Sequence, residues 1–87
     1  MILELTKKFT KEYSNLPRKT QEKVDAALKL FLENKYNPIL RNHALQGNYK
    51  GFSSISVGGD VRIHYYEKED KITVVLVRIG SHSQLYK

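Results

Sequence analysis

The sequence predicts an α+β fold, with an N-terminal strand and two helices packed on one face of an antiparallel sheet and a short helical turn near the C-terminal end. Three observations lead there. Residues 7–33 carry apolar side chains at helical spacing, and residues 52–79 change to strand-like runs bounded by turns. A length of 87 residues suits one domain, 1–87, with one modest core.

Each element has a local reason. Residues 2–5, Ile-Leu-Glu-Leu, read as a short strand. Thr6 is placed as the N-cap of a helix over 7–15, since its hydroxyl can accept from a first-turn amide. Leu5, Phe9 and Tyr13, four apart, share a face of that helix. Pro17 breaks the pattern and is tolerated in the first turn of a second helix. There Val24, Ala27, Leu28, Phe31 and Leu32 form an amphipathic stripe, with Lys19, Lys23, Lys29 and Glu33 largely off it. Asn37-Pro38 ends this helix, and residues 39–51 read as a loop-like connector.

The sheet follows. Phe52, Ser54 and Ser56 alternate with Ser53, Ile55 and Val57, leaving one face polar. Gly58-Gly59-Asp60 makes a hairpin turn. Val61, Ile63 and Tyr65 then take one side, and Asp60, Arg62, His64 and Tyr66 the other. After a turn at 68–71, residues 72–79 are apolar on both parities, as in a central strand covered on both faces. The last residues suit one helical turn. Two helices can cover only one face of so small a sheet, so the polar parity marks the exposed face and the candidate site.

Fifteen Lys and Arg stand against nine Asp and Glu, a net charge of +6. Residues 1–50 hold ten basic and five acidic side chains, a net of +5; residues 51–87 hold five and four, a net of +1. Such an excess fits phosphate-backbone binding, a solvated lysine face, or an acidic protein partner. No cysteine is present, which excludes disulfides and thiolate metal sites. The first residues do not form a signal peptide, and no segment approaches the roughly 20 apolar residues of a membrane span. A soluble cytoplasmic protein without cofactor or metal, and with no membrane partner, is expected.

The polar residues near the sheet's end carry the chemistry. His43 lies in the connector, Asp60 and Arg62 open the second hairpin strand, Arg78 closes the third, and His82 and Tyr86 follow it. Counting outward from the turn at 68–71 makes Arg62 and Arg78 approximate neighbours and brings Asp60 towards His82; the register of the last strand stays open. RNA supplies its own nucleophile, the 2′-hydroxyl. Cleaving it requires a base, a cation for the phosphate and an acid for the leaving 5′-oxygen. Imidazoles and a carboxylate supply the proton transfers, each typically about 10²–10⁴-fold, and arginine supplies a bidentate phosphate clamp. Plainer roles compete. Arg62 can pair with Glu67 or Asp60, His64 between aromatic neighbours suits a partly buried ring, Tyr86 can close over the core, and Tyr13, Tyr36 and Tyr49 suit packing or surface.

The stretch "HALQGNYKGFSSISVGGDVRIHYY" over 43–66 and the tail "VRIGSHSQLY" over 77–86 resemble the YafQ-like branch of the RelE/ParE superfamily of bacterial toxins. The tail, with Arg, Gly, His and a final aromatic at fixed offsets, is the more specific part. The resemblance implies a small RelE-like fold and a toxin of a type II toxin–antitoxin system. It further implies an endoribonuclease that cuts mRNA, commonly on the translating ribosome, and an acidic cognate antitoxin as partner. Operator DNA would be contacted only through the antitoxin complex. On this resemblance His43, Asp60 and His82 take proton-transfer or orienting roles, Arg78 stabilises phosphate, and Tyr86 stacks on or positions a base. Lys50 and Phe52 fall in the stretch that lies along the RNA or ribosomal RNA. Where that branch has a histidine four residues before the aspartate, this chain has Ser56; Arg62 is the favoured substitute for charge stabilisation. A ParE-like gyrase inhibitor without catalysis, and a toxin that binds its antitoxin but no longer cuts, are the alternatives.

Overall fold

Chain order and sheet order diverge in one way: the first strand lies beside the last. The computed structural model describes residues 1–86. Its sheet runs β1 (Ile2–Leu5), β5 (Thr73–Ser81), β4 (Val61–Glu67), β3 (Ser53–Gly58) and β2 (His43–Ala44). β1 pairs parallel with β5, and the other three neighbouring pairs are antiparallel. Between β1 and β2 come α1 (Lys7–Ser14) and α2 (Arg18–Glu33); α3 (His82–Leu85) follows β5. The mixed α+β architecture and the closing helical turn are as expected from the sequence. Among the described residues no helix is long and apolar enough to cross a membrane.

Thr6 does two jobs with one hydroxyl. It accepts from the Phe9 amide at 3.0 Å, capping α1, and donates to the Val77 carbonyl at 2.9 Å, tying the helix start to β5. Phe9 from α1 and Val24, Ala27 and Phe31 from α2 close over Ile55, Ile63, Tyr65, Val74, Leu76 and Ile79. Phe31 meets the Tyr65 ring edge-on, with centroids 5.0 Å apart. Leu32, expected on the stripe, is 47% exposed, and Leu30 packs on the core instead. Leu32 stands about 100° around the helix from Phe31, and α2 ends one residue after it. Leu5 belongs to β1 rather than α1, and it too is exposed.

The connector is more ordered than a loop. Pro38–Leu40 and Gly47–Tyr49 form 3₁₀ turns around β2, and the buried Leu40 and Leu45 pin the segment down. His43 and Ala44 pair with Ser54 and Ser53, so the sheet gains a strand beyond the four expected. Two residues are too few for alternation to show; backbone pairing alone defines this strand. Phe52, expected in the next strand, immediately precedes β3. Gly58 and Gly59, with φ of 136° and 56°, make the β3–β4 turn in a backbone region other residues rarely enter.

A bulge decides what β5 shows to each face. His64 pairs with Arg78 but Tyr65 pairs with Leu76, leaving Val77 as the extra residue. Strict alternation from Leu76 would put Arg78 in the core. The bulge reverses the phase, so Ile79 is buried opposite Ile63 and Arg78 lies on the other face beside His64.

Candidate active site

On the face away from the helical core, four strands contribute one residue each to a transverse row. His43 of β2 pairs with Ser54 of β3, Ser54 with His64 of β4, and His64 with Arg78 of β5. A second row, Ser56, Arg62 and Gly80, lies beside it. The expected closeness of Arg62 and Arg78 is thus diagonal: their direct partners are Gly80 and His64.

His64 is the buried centre of the first row. Only 3% of it is exposed, and its Nε2 and the neighbouring Ser54 Oγ are buried without hydrogen-bond partners. Such a group costs about 1–3 kcal/mol when left unpaired. Burial, then the positive charges of Arg78, His43 and Arg62, push the imidazole below its ordinary 6.5, with Glu12 opposing. The expected exposed face is therefore partly roofed. Tyr49 and Tyr86 meet the His64 ring at centroid distances of 5.7 and 5.3 Å and each other at 5.2 Å. The Tyr49 hydroxyl donates to the Leu85 carbonyl at 2.9 Å, fastening the roof to α3.

The tail builds the rim. Ser81 caps α3 by accepting from the Gln84 amide, and the Gln84 side chain returns to accept from the Ser81 amide. Gly80 makes room for this: a Cβ there would stand 2.8 Å from Gln84 Oε1. His82 opens α3 on the surface, with its ring centroid 4.5 Å from that of the half-buried Tyr86. Asp60 is exposed in the β3–β4 turn, at the end of the sheet where Val61 pairs with Ser81, one residue before His82. His43 is exposed. Its Nδ1 lies 2.9 Å from the Arg41 carbonyl, which can only accept, so in the neutral ring the proton sits on Nδ1 and Nε2 keeps its lone pair.

Phe52 is half-buried and packs edge-on to Tyr66, with centroids 5.7 Å apart. Lys50 is exposed, next in the chain to Tyr49. Ser56 is half-buried opposite Arg62. Among the described residues no group of three or more His, Cys, Asp or Glu side chains is placed to hold a metal ion.

Sequence reasoning missed one partner entirely. Glu12 of α1 takes Arg78 in a two-nitrogen grip, Nη2 at 2.8 Å and Nε at 3.2 Å from Oε2, while its Oε1 accepts from the Ile79 amide at 3.1 Å. The available signal was its position three residues after the buried Phe9, which turns Glu12 towards the sheet.

The family model for the YafQ bacterial toxin of type II toxin–antitoxin systems matches residues 1–87. The chain belongs to that toxin family. No curated protein matches it by sequence. Among solved structures, E. coli YafQ shares 19% identity with this YafQ-family chain, covering 98% of it and 97% of YafQ, at a TM-score of 0.81. A copper-bound mutant toxin from Helicobacter pylori shares 30% identity, covering 98% of each chain, at a TM-score of 0.71. YafQ in the E. coli DinJ–YafQ toxin–antitoxin complex shares 20%, covering 98% of this chain and 96% of that one, at 0.78. The RelE-like fold implied by the resemblance over residues 43–86 is thereby found.

Proposed function

We propose that this toxin is an endoribonuclease that cleaves mRNA, engaged on the translating ribosome in the cytoplasm, with residues 1–87 acting as one domain. The observation that supports it is the transverse row His43–Ser54–His64–Arg78, with His82 and Tyr86 at its rim. Imidazoles, guanidinium and aromatic rings converge there on a basic protein.

The reaction is an attack of the 2′-oxygen on the adjacent phosphorus. The O2′–P bond forms, the P–O5′ bond breaks, and a 2′,3′-cyclic phosphate and a 5′-hydroxyl result. His43, with Nε2 unprotonated in its neutral form, is suited to take the 2′-proton; His82, as imidazolium, to protonate the leaving 5′-oxygen. Arg78 and Arg62 hold the phosphate as its charge grows, Asp60 takes an orienting role, and Tyr86 positions a base. Lys50, Phe52 and Ser56 contact the flanking RNA. No cofactor or metal enters these steps, because the substrate carries the nucleophile and side chains carry the protons.

An antitoxin of acidic character is the proposed protein partner; YafQ itself is found with DinJ in the E. coli toxin–antitoxin complex. The net charge of +6 gives it a complementary surface, and operator DNA is reached through that complex. New RNA 5′ ends mapped after a short pulse of expression, wild type against His82→Ala, test the reading. In-frame cuts that vanish in the variant support it. Growth arrest without new ends, together with inhibition of purified gyrase, would replace it with the ParE-like reading. No arrest and no ends would leave a toxin that binds its antitoxin without cutting, the reading that Ser56 favours.

A further inference from the structure

The pairing of Arg78 with Glu12 raises a specific question, because the same guanidinium is assigned to the phosphate. Resting on that assignment, we propose that Glu12 is the positioning residue of the site: it fixes the Arg78 guanidinium so that its remaining edge meets the scissile phosphate.

The geometry carries the case. Beyond Leu76 β5 loses its β1 neighbour, because β1 ends at Leu5. The α1 segment takes over that edge. The Thr6 amide donates to the Leu76 carbonyl, the Thr6 hydroxyl to the Val77 carbonyl, and Glu12 Oε1 accepts from the Ile79 amide. Glu12 is therefore held at one oxygen by the backbone of the strand that bears Arg78. Its other oxygen takes Nε and Nη2, one side edge of the guanidinium. Arginine has a second edge, Nη1 with Nη2, suited to two phosphate oxygens. Fastening the first edge removes rotamer freedom from a long side chain before substrate arrives.

The placement also explains why the pair does not cancel the site. Glu12 and Arg78 are each about a quarter exposed, at 23% and 26% of their side chains. The carboxylate approaches from α1 at the open edge of β5, whereas His64 adjoins Arg78 across the β4–β5 pair. Carboxylate and phosphate thus use different edges of one cation.

Glu12→Gln separates positioning from scaffolding. The amide oxygen can still accept from Ile79, so the β5 edge stays capped, but the charged grip on Arg78 is gone. Positioning predicts that kcat for cleavage of mRNA on programmed ribosomes by the purified toxin falls about 10- to 100-fold, because misplacement near 1 Å costs that order. KM should stay level or fall, since the variant is more positive. Glu12→Asp keeps the charge but withdraws it by one methylene, and kcat should fall there as well. The Arg78 Nε–H resonance reports the grip without reference to activity: slow to exchange in the wild type, fast in Glu12→Gln.

An unchanged or raised kcat in folded Glu12→Gln overturns the proposal, and a rise would make Glu12 a competitor of phosphate. Loss of melting temperature with kcat per folded molecule intact also overturns it, leaving a scaffold. If Arg78→Ala itself cleaves like the wild type, the phosphate role of Arg78 fails and the proposal with it. Loss in Arg78→Ala but not in either Glu12 variant overturns the positioning role alone.

Discussion

The two faces of the sheet are made by the same strands, yet they treat buried atoms in opposite ways. On the helix side Ile55, Ile63, Leu76 and Ile79 meet Phe31 and Val24, and every one of these is nearly or wholly buried. Among the described residues buried in that core, Tyr65 carries a hydroxyl, and it donates to Asn42 Oδ1 at 2.8 Å. On the other side Ser54 and His64 are as deeply buried, but Ser54 Oγ and His64 Nε2 have no partner. Burial on the first face stabilises the fold; on the second it opposes stability and keeps an imidazole neutral beside cations. Alternation lets one strand serve both ends, since successive side chains of a regular strand point to opposite faces.

Removing a core side chain should give the largest effect. Phe31→Ala is expected to destabilise by about 3–5 kcal/mol, read by chemical denaturation, with cleavage per folded molecule unchanged. If activity fell in proportion beyond the unfolded fraction, the two faces would not be separable.

His64→Leu should act in the opposite direction. Replacing an unpartnered buried polar group by an apolar one of similar size should raise stability by up to about 1–3 kcal/mol. The sign of its pH dependence follows from the lowered pKa. The unfolded imidazole, near 6.5, takes up a proton that the folded one refuses, so wild-type stability holds above that pH and falls as the pH drops below it. Thermal melts between pH 7.5 and 5 should show a steeper acid loss in the wild type than in the variant. Equal slopes would mean that His64 is not protected by the fold.

Thr6→Ala gives the smallest change of the three, about 1 kcal/mol for a lost cap. Amide exchange should quicken at Phe9, which donates to the lost hydroxyl. An unaltered rate would place the cap's weight on the Thr6 backbone alone.

Much of the helix-covered face was legible, because it rests on periodicity. Val24, Ala27 and Phe31 recur at helical spacing, and Val61, Ile63 and Tyr65 alternate over an unbroken strand. The site face was legible only by residue type. Its register depends on the Val77 bulge, which no local pattern announces, because Val74 to Val77 are apolar on both parities. The Glu12–Arg78 pair joins residues 66 apart in the chain, so the spacing from Phe9 turns Glu12 towards the sheet but does not say which residue it meets there. His64 reads as an ordinary aromatic-flanked ring; only the strand pairing sets it between Ser54 and Arg78. Tyr49 was read as packing or surface, and it does pack, but against the site.

The parallel pairing of β1 with β5 has a consequence for how the molecule comes into being. β5 is a central strand, yet it follows all the others in the chain. Until it emerges, β1 has no neighbour, β4 is an open edge, and neither the Thr6 anchor nor the Glu12 contact has anything to grip. Closing contacts between residues 2–5 and 73–76 requires a long loop to be ordered first, which slows folding. Partial chains that stop short of β5 therefore lack the strand that joins β1 to β4, and completion of the sheet is decided by the last strand to be made.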